Sequence, residues 1–191
     1  MTADLPPNLS LRAWPLPYEE RLDARPIAQI NLVVIHCTEL PDIATAREYG
    51  ERILYAAGTG NSGHYYLDRD GRALVFVRPE RMAHHTRGYN PRSIGIEIVN
   101  TGRFPDWFDS RRQAMTEPYT EAQIVALIAL LERLKRELPN LKYIAGHEDL
   151  DTDKVAATDN PSKQVFRKRD PGPQFPWPRV LEASALERLK P

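Results

Sequence analysis

The chain has 191 residues, enough for one domain with a buried core, and its 26 basic side chains balance 26 acidic ones, which removes any general pull toward nucleic acid or anionic lipid. A single cysteine, Cys37, excludes an internal disulfide. No run approaches the roughly 18 apolar residues of a membrane span, and the N-terminus lacks the basic-then-apolar order of a signal peptide, so the expected location is cytoplasmic, or periplasmic or exported if a leader was removed.

Residues 1–28 hold several prolines and no sustained period; they predict an extended arm lying over a domain that runs from 29 to 191. Ile30 to His36 is a short β-branched run, expected to be a central strand buried on both faces, with His36 at its C-terminal end where α/β sheets commonly place ligands. Asp42 to Ala57 has helical spacing, with Ala46, Tyr49, Ile53 and Ala56 or Ala57 on one side, and is closed by Gly58-Thr59-Gly60-Asn61. Two paired strands are expected at 63–67 and 73–77, joined by the turn Asp68-Arg69-Asp70-Gly71.

His84 and His85 fall in a loop spanning 79–91. Ser93 to Val99 alternates, placing Ile94, Ile96 and Ile98 on one face and Gly95 and Glu97 on the other, with the glycine leaving room for something to approach. Residues 101–118 are irregular and charged; they either form part of a groove or cover the core. Thr120 and Gln123 make a capping box for a helix whose apolar stripe runs from Ile124 to Leu138. Tyr143 to Ala145 predicts a strand and Val180 to Leu189 a closing helix. Strands mixed with helices over one core make a single α/β or α+β domain without internal repeats.

Metal-ligand chemistry concentrates between Tyr143 and Phe175. His147 ends a short apolar run, and Asp170-Pro171-Gly172-Pro173 is a rigid turn suited to holding a carboxylate still. His36 is the best third ligand from elsewhere, and two imidazoles with one carboxylate around an open position is the ligand set of a catalytic zinc site. Taken singly, a histidine on an apolar strand is more often a hydrogen-bonded core residue, and an acid on an alternating strand a solvated one. For the two histidines, joint occurrence with the Asp170 carboxylate inverts those odds; for Glu97, Gly95 in place of a packing side chain on the same face favours function. Cys37 points away from His36 on a strand and is expected to pack rather than ligate.

Six motifs in order, IxxVVIHCT, SGHYYLDRDG, HHTRG, SIGIEIVNTG, GHEDL and KRDPGPQF, resemble the zinc N-acetylmuramoyl-L-alanine amidases of the AmpD type, relatives of peptidoglycan recognition proteins and phage amidases. The resemblance runs from about Ile30 to Trp177. It implies a central mixed β-sheet flanked by helices, and hydrolysis of the amide between the lactyl group of N-acetylmuramic acid and L-alanine of the stem peptide, in peptidoglycan or muropeptides. His36, His147 and Asp170 match the family's Zn2+ ligands, Glu97 the acid that moves the proton of the attacking water, and Lys168 the lysine that stabilises the oxyanion. Among Arg167 and Arg169, only the resemblance singles Lys168 out. His85 matches a histidine implied to contact substrate, with His84 replacing the family's tryptophan. His64 either starts a strand structurally or lies near the metal and touches substrate.

Gly63 stands where recognition proteins and phage enzymes carry a tyrosine, which leaves the proton-carrying role to Glu97. The 23 positions from His147 to Asp170 exceed the spacing in shorter relatives; the polar insert at 151–166 is expected to be mobile, as a lid over the groove or a surface excursion. The alternative function is a module of the same fold that grips muropeptide without cutting it. Such modules typically lose a metal ligand, whereas all three are present here.

Overall fold

The structure, a computed structural model, describes residues 9–190. Seven strands form one mixed sheet in the order β1-β4-β3-β5-β2-β6-β9. In chain order these are β1 (Leu11–Ala13), β2 (Leu32–Cys37), β3 (Tyr65–Leu67), β4 (Ala73–Val75), β5 (Ser93–Ile98), β6 (Tyr143–Gly146) and β9 (Glu187–Arg188). The separate hairpin of β7 (Lys154–Ala156) and β8 (Gln164–Phe166) lies in the insert. Helices α1 (Ile43–Glu51), α2 (Glu121–Glu137), α3 (His147–Leu150) and α4 (Trp177–Ser184) complete the fold.

The centre of the sheet is parallel, with β2 flanked by β5 and β6. All six residues of β2 are buried, as expected of a strand covered on both faces. Alternation sorts its side chains: Val33 and Ile35 join Ile94, Ile96, Ile98 and Ile144 in a core closed by Leu127, Leu130, Leu131 and Leu134 of α2. The opposite face carries Leu32, Val34 and His36. Each fully buried leucine on α2 contributes roughly 1.5–3 kcal/mol relative to exposure, so the apolar stripe holds that helix in place. Its start is fixed by the predicted capping box, Thr120 Oγ1 accepting from Gln123 N–H at 3.1 Å and Gln123 Oε1 from Thr120 N–H at 3.0 Å.

Of the predicted arm, residues 1–8 lie outside the described residues. Leu11–Ala13 adds a parallel edge strand beside β4, and Leu16, Tyr18 and Leu22 pack with Leu40, Ala46, Tyr66 and Phe76 in a second core on the other face of the sheet.

Two expectations are corrected. The helix predicted to reach Ala57 stops at Glu51, because Arg52 turns extended and the amides of Leu54 and Tyr55 bond Thr59 O instead; Ile53, expected on the packed face, is 54% exposed. The closing helix begins earlier, at Trp177, and ends at Ser184. There Ala185 takes a left-handed conformation (φ 52°), and Glu187–Arg188 finds the open edge of β6. Within the insert, β7 and β8 pair as an antiparallel hairpin with Val165 buried, a pairing the sequence reading did not include. Among the described residues no helix is long and apolar enough to cross a membrane.

Candidate active site

Three neighbouring parallel strands deliver the site residues at their C-terminal ends. In the β2–β5 register His36 is the partner of Glu97, so both side chains rise from the same face of the sheet. In the β2–β6 register Ile35 is the partner of Gly146, and the next residue, His147, opens α3 level with His36. Asp170 arrives from the far side of the insert. Its carbonyl accepts from Glu148 N–H at 2.9 Å, tying its backbone to the residue after His147, and Tyr119 Oη donates to Pro171 O at 2.7 Å.

The side chains converge accordingly. Asp170 Oδ2 lies 2.8 Å from His36 Nδ1 and 3.1 Å from His147 Nδ1, and all three residues are buried. Burial pushes the Asp170 carboxyl up, but the imidazoles of His147 and His36 outweigh it and hold the group well below the usual carboxylate range. Burial, reinforced by the neighbouring His147, lowers His36 to about 4, so near pH 7 the ring is neutral, with one nitrogen free to ligate and the other carrying the proton.

These three residues offer one ligand atom each within 4.8 Å of one another. Asp170 Oδ1 is buried without a hydrogen-bond partner, an arrangement costly for a carboxylate unless a cation takes the free lone pairs. Two neutral imidazole nitrogens and a carboxylate are suitable donors for a divalent ion, so the cluster fits a metal.

A cavity of about 760 Å³ opens over this cluster, lined also by Glu97, Lys168, Tyr49, Arg52, Trp107 and Phe108. Glu97 is half-buried in its floor. Burial, and behind it the charge of Asp170, push its carboxyl well above the ordinary value, while Lys168 pulls the other way. The two arginines beside Lys168 are engaged elsewhere: Arg167 pairs with Asp151, and Arg169 donates to Gln113 O at 3.0 Å.

A sequence model of the N-acetylmuramoyl-L-alanine amidases matches residues 26–173. The chain belongs to this amidase family. Over 138 residues it is 30% identical to the 1,6-anhydro-N-acetylmuramyl-L-alanine amidase AmpD of Salmonella typhimurium, covering 68% of this chain and 60% of that protein. The chain thus spans less than two thirds of that relative's length. The endolysin amidase LysCS of Clostridium intestinale superposes with a TM-score of 0.65 at 19% identity, over 93% of this chain and 97% of that one. AmpDh3 of Pseudomonas aeruginosa, solved in complex with anhydromuramic pentapeptide, gives 0.62 at 25% identity over 83% and 61%.

Within this amidase fold two glycines shape the site. A Cβ at Gly63 would lie 2.7 Å from Glu97 Cγ, so Glu97 occupies the space that a side chain at position 63 would take. A Cβ at Gly95 would lie 2.6 Å from His85 Cγ: the room expected beside Glu97 is filled by the His85 ring.

Both histidines expected to touch substrate are engaged inside the protein. His64 is fully buried. Its Nδ1 accepts from Gly95 N–H at 3.0 Å, and its Nε2 lies 3.1 Å from Arg81 O and 2.8 Å from Arg25 Nη2. It is absent from the cavity lining, and burial together with the Arg25 charge holds its pKa well below the ordinary value. His85 borders the cavity, but its Nδ1 lies 3.0 Å from His36 Nε2 and its Nε2 3.2 Å from Ser93 Oγ. Each ring nitrogen therefore already has a protein partner.

One structural pair escaped sequence reasoning. Arg103 grips the Glu39 carboxylate at 2.7 and 2.8 Å, both side chains nearly inaccessible, and donates to Phe166 O at 2.9 Å, at the end of the hairpin. Glu39 and Gly102, in contact there, both have positive φ (48° and 53°). Neither periodicity nor motif marks these residues.

Proposed function

We propose that this chain is a zinc-dependent amidase that cleaves the amide joining the lactyl group of N-acetylmuramic acid to L-alanine of the stem peptide. The convergence of His36 Nδ1, His147 Nδ1 and Asp170 Oδ2, with Asp170 Oδ1 unpartnered, carries the reading. The curated relative's activity and the anhydromuramic pentapeptide bound to AmpDh3 support the substrate class.

His36, His147 and Asp170 would hold the ion. Bound zinc supplies a Lewis acid that polarises the amide carbonyl and makes water acidic near neutral pH. Glu97 takes the proton from the attacking water and returns it to the departing alanine nitrogen, yielding a lactyl carboxylate and a free amine. Its burial, with the charge of Asp170 behind it, raises the carboxyl above its ordinary value, the direction that helps it hold the proton between the two transfers. Lys168 supplies positive charge where the carbonyl oxygen becomes anionic. Arg103, Trp107 and Phe108, with Arg167 and Lys168 just after the hairpin, form one wall of the cavity and set the length of substrate admitted.

Mass spectrometry of products from anhydro-muropeptide and from polymeric peptidoglycan, before and after chelation and zinc restoration, tests the proposal. Zinc-restored release of the free stem peptide is expected. Binding without cleavage would replace the amidase reading with a gripping module. Cleavage confined to small muropeptides would accord with a cytoplasmic recycling role, and cleavage of polymer with an exported one.

A further inference from the structure

We propose that His85 is a positioning residue that locks His36 in the tautomer presenting Nδ1 to the metal. The inference rests on the metal-site reading above and adds a residue to it. A neutral imidazole that ligates through Nδ1 carries its proton on Nε2 and needs an acceptor there. The atom facing His36 Nε2 is His85 Nδ1, at 3.0 Å, with Thr86 Oγ1 at 3.3 Å.

Once His85 Nδ1 accepts, every proton further along has one direction. The His85 proton sits on Nε2 and is donated to Ser93 Oγ at 3.2 Å, and Ser93 Oγ–H is donated to Tyr89 O at 2.8 Å. The chain ends on a backbone carbonyl, which cannot reverse it. Thr86 Oγ1, 3.0 Å from His85 Nδ1, stands beside the same junction.

The surroundings fix the ring as firmly as the hydrogen bonds do. His85 N–H and Thr86 N–H both donate to Asn90 Oδ1, at 3.0 and 2.7 Å, which holds the loop. The bare backbone of Gly95 leaves the ring its place, since any larger residue there would collide with it. The rings of His85 and His36 stand nearly perpendicular, with their centroids 5.2 Å apart.

The test is zinc affinity, measured by competition against a chromophoric chelator on the full chain, with urea unfolding of the metal-free proteins as a control for folding. His85→Gln keeps the bulk but offers no acceptor at the place of Nδ1, and is expected to weaken zinc binding by roughly 10- to 100-fold. His85→Asn puts its Oδ1 at that place and is expected to recover most of the affinity. Equal affinities for the two variants, or a Gln variant that binds as tightly as the parent, would overturn the proposal. A parent chain that takes up no zinc would instead remove the metal-site reading itself, and this inference with it.

Discussion

Glu97 stands out among individual residues because its surroundings were cleared for it: no side chain at position 63, a registered partner in His36, and a cation in Lys168 within electrostatic reach. Glu97→Gln keeps the shape and loses the proton. It is expected to lower kcat by about 10²- to 10⁴-fold while leaving bound zinc unchanged by metal analysis. The buried imidazoles make a separate prediction. His36, lowered to about 4, and His64 and His85, lowered in the same direction by burial, stay neutral in the fold at pH values where the unfolded chain takes up protons. Stability of the metal-free protein is therefore full above an unfolded-state value of about 6.5, and it falls as pH drops toward 4, by up to about 1.4 kcal/mol per pH unit for each histidine. Urea unfolding in chelator at pH 7.5, 6.0 and 5.0 measures this; a flat profile would mean that the imidazoles are not held neutral. The ligand residues were readable in the chain because each closes an apolar run or sits in a proline-bounded turn. The duties of His64 and His85 were not, since partners such as Arg25 and Ser93 lie far from His64 or on another element, and only folding brings them together.

Among the elements, β2, β5, β6 and α2 were legible because burial on both faces, strict alternation and a capping box each leave a local mark. The elements at 187–188 and 154–166 were not. Polar or half-exposed residues become strands there because a sheet edge stands open or a hairpin partner lies nearby, which is tertiary information. The hairpin is tied down rather than loose: Thr158 N–H donates to Phe108 O at 2.9 Å, Ser110 N–H to Asp159 Oδ1 at 2.6 Å, and Arg103 to Phe166 O. Arg103→Ala would strand the buried Glu39 carboxylate and release that end of the hairpin, two residues before Lys168. A loss of about 3–5 kcal/mol in urea unfolding is expected. Glu39→Ala combined with Arg103→Ala should cost clearly less than the two single losses added, because the second change removes the stranded charge.

For the molecule as a whole, the fold itself brings His36, His147 and Asp170 together, so an ion held by them is expected to bind the native chain far better than the unfolded one. At a free zinc concentration a thousandfold above the dissociation constant, binding is expected to add about 4 kcal/mol. For a chain of this size that corresponds to an upward Tm shift of roughly 8–16 °C by calorimetry. A Tm indifferent to chelator would mean that the three side chains hold no ion.

The backbone bond from Glu148 N–H to Asp170 O, together with the pairing of β2 with β6, bears on when the protein becomes competent. His36 and Asp170 stand 134 positions apart, and the strand carrying the first must be clasped between two later ones before the other ligands can face it. Capture of an ion by these residues is therefore expected only once β2 lies between β5 and β6 and the Asp170 turn is in place. A nascent polypeptide still lacking its Asp170 turn has half a claw, so capture of an ion and onset of the proposed hydrolysis are expected together, after β2 has gained both neighbours.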